Sequence, residues 1–360
     1  MNDMNNANED LLFSSAYARL LSRSGIPGLG EISQAALLED TALTEEQLHS
    51  TNYLKWSQAR RMLVNIEAAG AKADWPIGFA NQLGPSSHGP LGFAAISAAT
   101  LGDALKVLAQ YHATRTATLD FRLLKDSDFN SQANSCAISI DDLTYDPHYG
   151  RQILEMSIKA VLTIIETIVG HPLMHNVSVQ FVYPAPAYAK KLNAGLEVDC
   201  QFNCATNAII MPASWLDIVS PLYDESTYRA NIVKCREQLA ALYAIKKDPA
   251  LLIKERLAQC FDQMRAEGEY LEKLPDLEQC ATELALSTRT LIRRLQLENT
   301  SYKKILEQVR SEYAADLLTT THLSANDIGS MLAYSDPSNF IRAFKQWYGI
   351  TPSNWRKRKS

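Results

Sequence analysis

From Leu11 to Ala73 apolar residues recur at helical spacing in short blocks separated by polar breaks. The segment 75–91, which reads GFANQLGPSSHGPL from Gly78 onward, is dense in Gly and Pro, and Leu101–Tyr111 then resumes a helical period. Thr118–Leu124 and Cys136–Ile140 read as strands, the second with clean alternation. His148–Val169 reads as one long helix. After it Val177, Val179 and Phe181 alternate, as do Leu196, Val198, Cys200 and Phe202, and Ala208–Met211 follows as a further strand-like run. Helices and strands mixed in this way predict an α+β domain large enough to close a core around a pocket.

The pattern changes at Tyr228. Tyr228, Ile232, Cys235, Leu239 and Leu242 are spaced 4-3-4-3, a seam of two heptads. Such a stripe either packs on its own domain or adds to a homodimer contact through 228–242. Lys246-Lys247-Asp248-Pro249 ends the helix, which makes 246–250 a linker, and everything beyond it is helical in pattern. The expected organisation is a disordered tip over 1–10, an α+β regulatory domain over 11–245, the linker, and an all-α domain over 251–360.

Within the last domain one arrangement occurs twice. In LEQCATELALSTRTLIRRLQ, Leu277–Gln296, a short helix ends near Leu284, the chain turns, and Ser287 N-caps a second helix. At 100° per residue Leu291, Leu295 and Glu298 share one face, while Arg289, Arg293 and Gln296 share the other. In LSANDIGSMLAYSDPSNFIRAFKQW, Leu323–Trp347, Ser324 and Asp327 form a capping-box start and Ala333-Tyr334-Ser335 the turn. Asp336 caps the next helix, with Pro337 at its first position. Phe340, Phe344 and Trp347 face inward; Ser338, Arg342 and Lys345 face outward. Inward 291/295 and outward 289/293/296 thus return 49 residues later as 340/344 and 338/342/345. Each unit is a helix-turn-helix whose second helix offers guanidinium and amide groups, which suit guanine and adenine edges in a major groove. Between them Tyr302, Ile305, Leu306, Val309, Tyr313 and Leu317 mark a long connecting helix. To read one face of B-DNA, the two recognition helices must enter major grooves about 34 Å apart.

Charge supports a nucleic-acid partner only when divided by region. The whole chain carries −5, but Ala281–Ser360 holds 12 basic and 7 acidic residues, a local +5 against −10 elsewhere. Local positive field is what phosphates respond to. Six scattered cysteines read as reduced, structural thiols. Cys200 and Cys204 form a single C-x3-C without a second pair, and Pro172 interrupts any helix carrying His171 and His175. Neither makes a metal site, and no cofactor is expected. No run of eighteen apolar residues is free of charge, the most apolar, Val161–Gly170, being short and containing Glu166. The first ten residues lack the charged and apolar regions of a signal peptide. A cytoplasmic protein without a membrane partner is expected.

The segments STRTLIRRL and SDPSNFIRAFKQWYGITPSNWRK resemble the C-terminal domain of the AraC/XylS family of bacterial transcription regulators, over roughly Pro249 to Lys357. The resemblance implies DNA contacts from Arg289, Thr290 and Arg293 in the first module and from Ser338, Asn339 and Arg342 in the second. Gln296 and Lys345 join this set on the helical-face argument. Ala285 and Ala333 stand where the family usually has Gly, which implies stiffer or strained turns. Ile292 offers an apolar surface, suited to a thymine methyl, where relatives often carry a polar group. Upstream, SSHGPLGFAAISAATLGDALKVLAQY and VSVQFVYPAPAYAKKL resemble the arabinose-binding-like effector domain of the ornithine-utilisation-type members, over roughly Gly30 to Leu242. That likeness implies a small-molecule effector without naming it or its pocket residues. His88, Tyr111 and Tyr183 are polar groups near these segments, each equally explained by core packing.

Enzymatic readings find no support. GPSSHG lacks the GK[ST] of a phosphate loop, GIPGLG at Gly25 lacks the strand-then-helix context of a dinucleotide site, and the adjacency of Ser86, Ser87 and His88 is not a triad. A repair methyltransferase would need a cysteine cluster near the N-terminus, and the first cysteine here is Cys136. The expectation is therefore an effector-responsive regulator that activates promoters, with double-stranded DNA and RNA polymerase as partners. The alternative is an architectural or protein-interaction module with only sequence-indifferent DNA affinity.

Overall fold

The computed structural model describes residues 11–21, 25–125, 134–246, 248–267, 274–284, 286–334 and 336–359. Expectations that fall on Met1–Asp10, Lys247, Ala285 and Ser335 lie outside them. The chain divides into two compact units, Met1–Leu239 and Ala240–Ser360. Among the described residues no helix is long and apolar enough to cross a membrane.

The first unit is α+β. Its short strands β1 (Leu12–Ser14) and β2 (Tyr53–Lys55) pair antiparallel, Phe13 opposite Leu54. Around them lie helices α1 (Ser15–Leu21), α2 (Gln34–Leu38), α3 (Glu45–Ser50) and α4 (Trp56–Ala68). The Gly/Pro-rich segment is more helical than its composition suggests: it forms α5 (Trp75–Ala80) and the start of α6 (Gly89–Ile96). Pro76 and Pro90 sit in the first turns, where a missing N–H costs no helical bond. Helix α7 (Leu101–Tyr111) follows, with Thr100 as its N-cap.

The main sheet contains β3 (Leu119–Lys125), β4 (Ser135–Asp142), β5 (Ser178–Gln180), β6 (Asp199–Gln201) and β7 (Ala208–Pro212), in the order β3-β4-β7-β5-β6. Only β5 and β6 run parallel; the other pairs are antiparallel. Helix α8 (Tyr149–Val169) is the element the rest surrounds. It buries Ile153, Leu154, Ile158, Val161, Leu162, Ile165 and Ile168 and packs on β4, α5 and α6. Gly170 closes it in the left-handed conformation, φ 77°. The alternation expected from Leu196 to Phe202 is shorter in the structure. Leu196 ends helix α9 (Ala189–Leu196), and the strand begins only at Asp199.

A polar knot fixes the helix to the loop before α9. Glu155, fully buried, accepts hydrogen bonds from the Tyr183 and Tyr188 hydroxyls at 2.8 and 3.0 Å. The Arg151 guanidinium lies over both rings, 5.5 and 5.7 Å from their centres. Burial raises the Glu155 carboxyl above its ordinary range, and the two phenols only partly offset this. Tyr183 is thus a structural group.

Helix α10 (Glu225–Lys246) carries the heptad stripe. Ile232, Cys235, Leu239 and Leu242 are all buried within the chain. Arg236 donates from Nε to the Tyr111 hydroxyl at 3.1 Å, and Arg115 lies near enough to act electrostatically on Cys235. The seam expected as a possible dimer contact through 228–242 is therefore buried within the chain at four of its five positions. Only Tyr228 of the five remains partly accessible.

The second unit is wholly helical among the described residues: α11 (Pro249–Glu267), α12 (Leu277–Glu283), α13 (Thr288–Leu297), α14 (Tyr302–Thr320), α15 (Ala325–Met331), α16 (Pro337–Tyr348) and α17 (Pro352–Lys359). One continuous apolar core joins them. Ile253, Leu257 and Phe261 of α11 meet Leu291 and Leu295 of α13, Val309 and Leu317 of α14, and Phe340 and Phe344 of α16 within it.

Candidate nucleic-acid interface

Each module is built by its caps. Asp276 starts α12 with a capping box completed by Gln279, and Ser324 does the same for α15 with Asp327. The turns then bond alike: the Leu286 amide donates to the Ala281 carbonyl at 2.9 Å, and the Tyr334 amide to the Gly329 carbonyl at 3.0 Å. At the second turn this six-to-one bond marks a Schellman ending, with the residue before the Tyr334 donor in the left-handed region. Ala333 occupies that position with φ 54°. The second turn therefore does demand positive φ, and alanine meets the demand at a steric cost that glycine would avoid.

The second helix of each pair starts on a side-chain oxygen. Ser287 Oγ accepts from the Thr290 amide at 3.2 Å, and Asp336 Oδ1 accepts from the Ser338 amide at 2.8 Å. Those hydrogen bonds from Ser338 hold the Asp336 carboxyl below the usual carboxylate range, with Arg342 adding a smaller effect. The inward faces are as the spacing predicts. Leu291, Leu295, Phe340 and Phe344 are buried, and Trp347 is half-buried against the same core. Glu298 departs from the expected inward face: it is the exposed C-cap of α13. Charge at a helix end stays hydrated whatever its angular position.

The outward faces are open. Arg289, Arg293 and Gln296 on α13, and Ser338, Asn339, Arg342 and Lys345 on α16, are all exposed. Ion pairs described in this unit join Lys254 to Glu312, Arg256 to Glu283, Arg265 to Asp316 and Lys303 to Glu307. None of these takes up Arg289, Arg293, Arg342 or Lys345. Arg342 donates to Asn339 Oδ1 at 2.7 Å, which braces two polar side chains on adjacent turns of one face. Thr290 is set back from the others. It is half-buried, and its hydroxyl meets that of Ser287 at 2.8 Å. Ile292 stands exposed beside the arginines.

Helix α14 fastens both modules. The Tyr302 hydroxyl at its start donates to the Pro275 carbonyl, just before α12. Tyr313 donates to the Ala258 carbonyl of α11 at 3.0 Å. Arg310 reaches the second turn, donating from Nε to the Leu332 carbonyl and from Nη2 to the Ala333 carbonyl, both at 2.8 Å. Burial lowers the Arg310 pKa from its ordinary value, and the nearby Tyr334 and Tyr302 work against that shift. Sequence reasoning missed Arg310, because a polar residue beside Val309 in a helical stripe looks like any solvated position. Its partners are backbone carbonyls, which leave no mark in the side-chain pattern.

Two capped helix pairs on one core, each with an open cationic face, define a helix-turn-helix transcription regulator. Residues 32–218 match the N-terminal arabinose-binding domain of AraC transcription regulators, and residues 280–358 match a helix-turn-helix domain. The chain belongs to the AraC family of transcription regulators. It is 29% identical to the ornithine utilization regulator of Pseudomonas aeruginosa over 91% of each chain. It is 28% identical to an HTH-type transcriptional regulator of Mycobacterium tuberculosis, over 75% of this chain and 74% of that one. Among solved structures, the transcriptional regulator CdpR of Pseudomonas aeruginosa aligns with 83% of this chain and 91% of its own, at 18% identity and a TM-score of 0.42.

Proposed function

We propose that this chain is a cytoplasmic, effector-responsive activator that reads promoter DNA through residues 251–360 and senses a small molecule through residues 11–245, across a linker at 246–250. Arg289, Thr290, Arg293 and Gln296 contact one major groove; Ser338, Asn339, Arg342 and Lys345 contact the next. The effector binds two arrangements of the protein with unequal affinity and so shifts promoter occupancy or contact with RNA polymerase. The work is done by binding alone, without a catalysed reaction. If a homodimer forms, it uses a surface other than the buried stripe of α10.

The observation that carries this reading is the pair of recognition-type helices. Each buries two large apolar side chains and leaves the basic residues of its outward face, Arg289 and Arg293 or Arg342 and Lys345, exposed, with none of the unit's described ion pairs drawing on them. The test is selection of a bound site from random duplex, followed by competition with unrelated DNA. A regulator prefers its site, each wrong base costing about 1–3 kcal/mol. Equal competition by any duplex, with steep loss in salt, would instead make the chain an architectural module.

A further inference from the structure

The three polar groups noted near the effector-domain segments are all bonded within the fold: Tyr111 to Arg236, Tyr183 to Glu155, and buried His88 through Nδ1 to the Tyr17 hydroxyl at 2.7 Å. Burial, with Arg115 adding to it, lowers the His88 pKa to about 4. Open polar groups recur on the two recognition-type helices, where one module serves as a control for the other.

A shift of 49 residues carries Ser287, Thr290 and Arg293 of α13 onto Asp336, Asn339 and Arg342 of α16. The two arginines are equivalent and both exposed, but their surroundings differ. Arg342 Nη2 donates to Asn339 Oδ1 at 2.7 Å. An arginine offers only donors, so the amide atom that faces it must be the oxygen, which settles the orientation of Asn339. Long helical side chains lean toward the N-terminus, so Arg342 reaches its neighbour three positions back in its ordinary direction. Arg342 also lies near enough to the N-cap carboxylate of Asp336 to act on it electrostatically, which draws the guanidinium further toward the start of the helix.

Arg293 has neither support. The N-cap of α13 is the neutral Ser287, and Thr290, in the place of Asn339, is half-buried with its hydroxyl 2.8 Å from that of Ser287. Among the described residues Arg293 has no hydrogen bond or ion pair. An unbraced arginine must surrender its rotamer freedom when it meets a base edge, whereas a braced one has given up part of it beforehand. Arg342 keeps further N–H groups beyond the one bonded to Asn339, enough for a bidentate contact with guanine.

We infer that Asn339 is a positioning residue: it holds the Arg342 guanidinium ready for its base, so that discrimination in the second module is set by the Asn339–Arg342 pair and not by Arg342 alone. The inference rests on the DNA-reading role proposed for α16 and names the device by which one of its bases is chosen. The first module lacks this device and discriminates less sharply through Arg293.

The test uses the full chain and an operator obtained by selection. The base pair under Arg342 is the one whose substitutions Arg342→Ala no longer distinguishes. Asn339→Ala should reduce discrimination at that same base pair by about two- to tenfold, the cost of ordering one long side chain on binding, and leave the other positions unchanged. In an Arg342→Ala background it should remove nothing further. Asn339→Asp keeps the accepting oxygen and should retain the native discrimination while weakening all sequences alike through its charge. Loss at a different base pair would make Asn339 a direct reader, uniform loss would make it part of the scaffold, and an undiminished effect without Arg342 would sever the pair; each overturns the inference.

NMR relaxation of arginine Nε groups in the free, isotope-labelled chain gives a readout without DNA. Arg342 should be more ordered than Arg293, and Asn339→Ala should bring it to the level of Arg293. Equal disorder of the two in the native chain overturns the inference even where the operator is bound tightly. An ordered Arg342 in a chain that binds every duplex alike would overturn the regulator reading instead.

Discussion

The guanidinium carbon of Arg310 lies 4.3 Å from the centre of the Tyr334 ring. The same guanidinium holds two carbonyls of the turn that Tyr334 ends, so one side chain of the connecting helix both stacks on and bonds the second helix-turn-helix. Three contacts from a planar, multiply donating group cannot be copied by an ammonium.

Arg310→Met should therefore lower the stability of the second unit by about 1–3 kcal/mol, the cost of leaving half-buried carbonyls without their donor. Arg310→Lys should recover only part of it. Thermal denaturation gives the magnitude, and footprinting should show protection of the half-site under α16 fading before that under α13. Equal fading at both would mean that the clamp serves the whole unit rather than this turn.

Ala333 holds φ 54° at the turn between α15 and α16. Ala333→Gly should stabilise the protein by about 1 kcal/mol, since release of the left-handed strain exceeds the added flexibility of the unfolded chain. Operator affinity should not change, because the turn positions α16 identically in both. A destabilised glycine variant would show the position to be relaxed.

Arg342 and Lys345 share an exposed face but differ in what they offer a duplex. Arg342→Ala should relax preference at one base pair by about 1–3 kcal/mol. Lys345→Ala should weaken binding to all sequences and lower the salt slope by about 1. Binding to a panel of single-base operator variants at several salt concentrations separates the two. Uniform loss from both substitutions would remove the distinction between base reading and phosphate contact.

His88 gives the N-terminal unit an acid sensitivity of definite sign. Its folded pKa, about 4, lies below the ordinary histidine value of 6.5, so between these limits the unfolded chain binds the proton that the folded chain refuses. The stabilisation is complete above 6.5 and is lost as pH falls toward 4, by roughly 3 kcal/mol at the end of the range. In His88→Gln the melting temperature should depend less on pH between 6.5 and 4. Curves of unchanged slope would place the titration elsewhere.

The parts of this molecule that periodicity alone reveals are those whose environment repeats with the helix. Leu291 with Leu295 and Phe340 with Phe344 alternate with arginines at regular angles, and α8 is a long unbroken apolar run. Helices α5 and α6 were hidden because glycine and proline suppress the apolar count exactly where tight packing needs them. At Gly89, with φ 55°, a Cβ would collide with the Arg115 guanidinium. Glu298 shows the limit of angular reasoning at a helix end, where solvent reaches every side. Arg310 and the Tyr17–His88 pair are joined across 22 and 71 residues of chain, so nothing local records them.

Helix α14 spans 19 residues, about 28 Å of unbroken rod, and shares one core with both modules. A reader mounted on such a strut cannot stretch. Under the proposed reading, promoters served by this protein should keep their two half-elements in fixed rotational phase, and inserting half a helical turn between them should carry one to the far side of the duplex. Spacing becomes as much a part of the recognised message as the letters themselves.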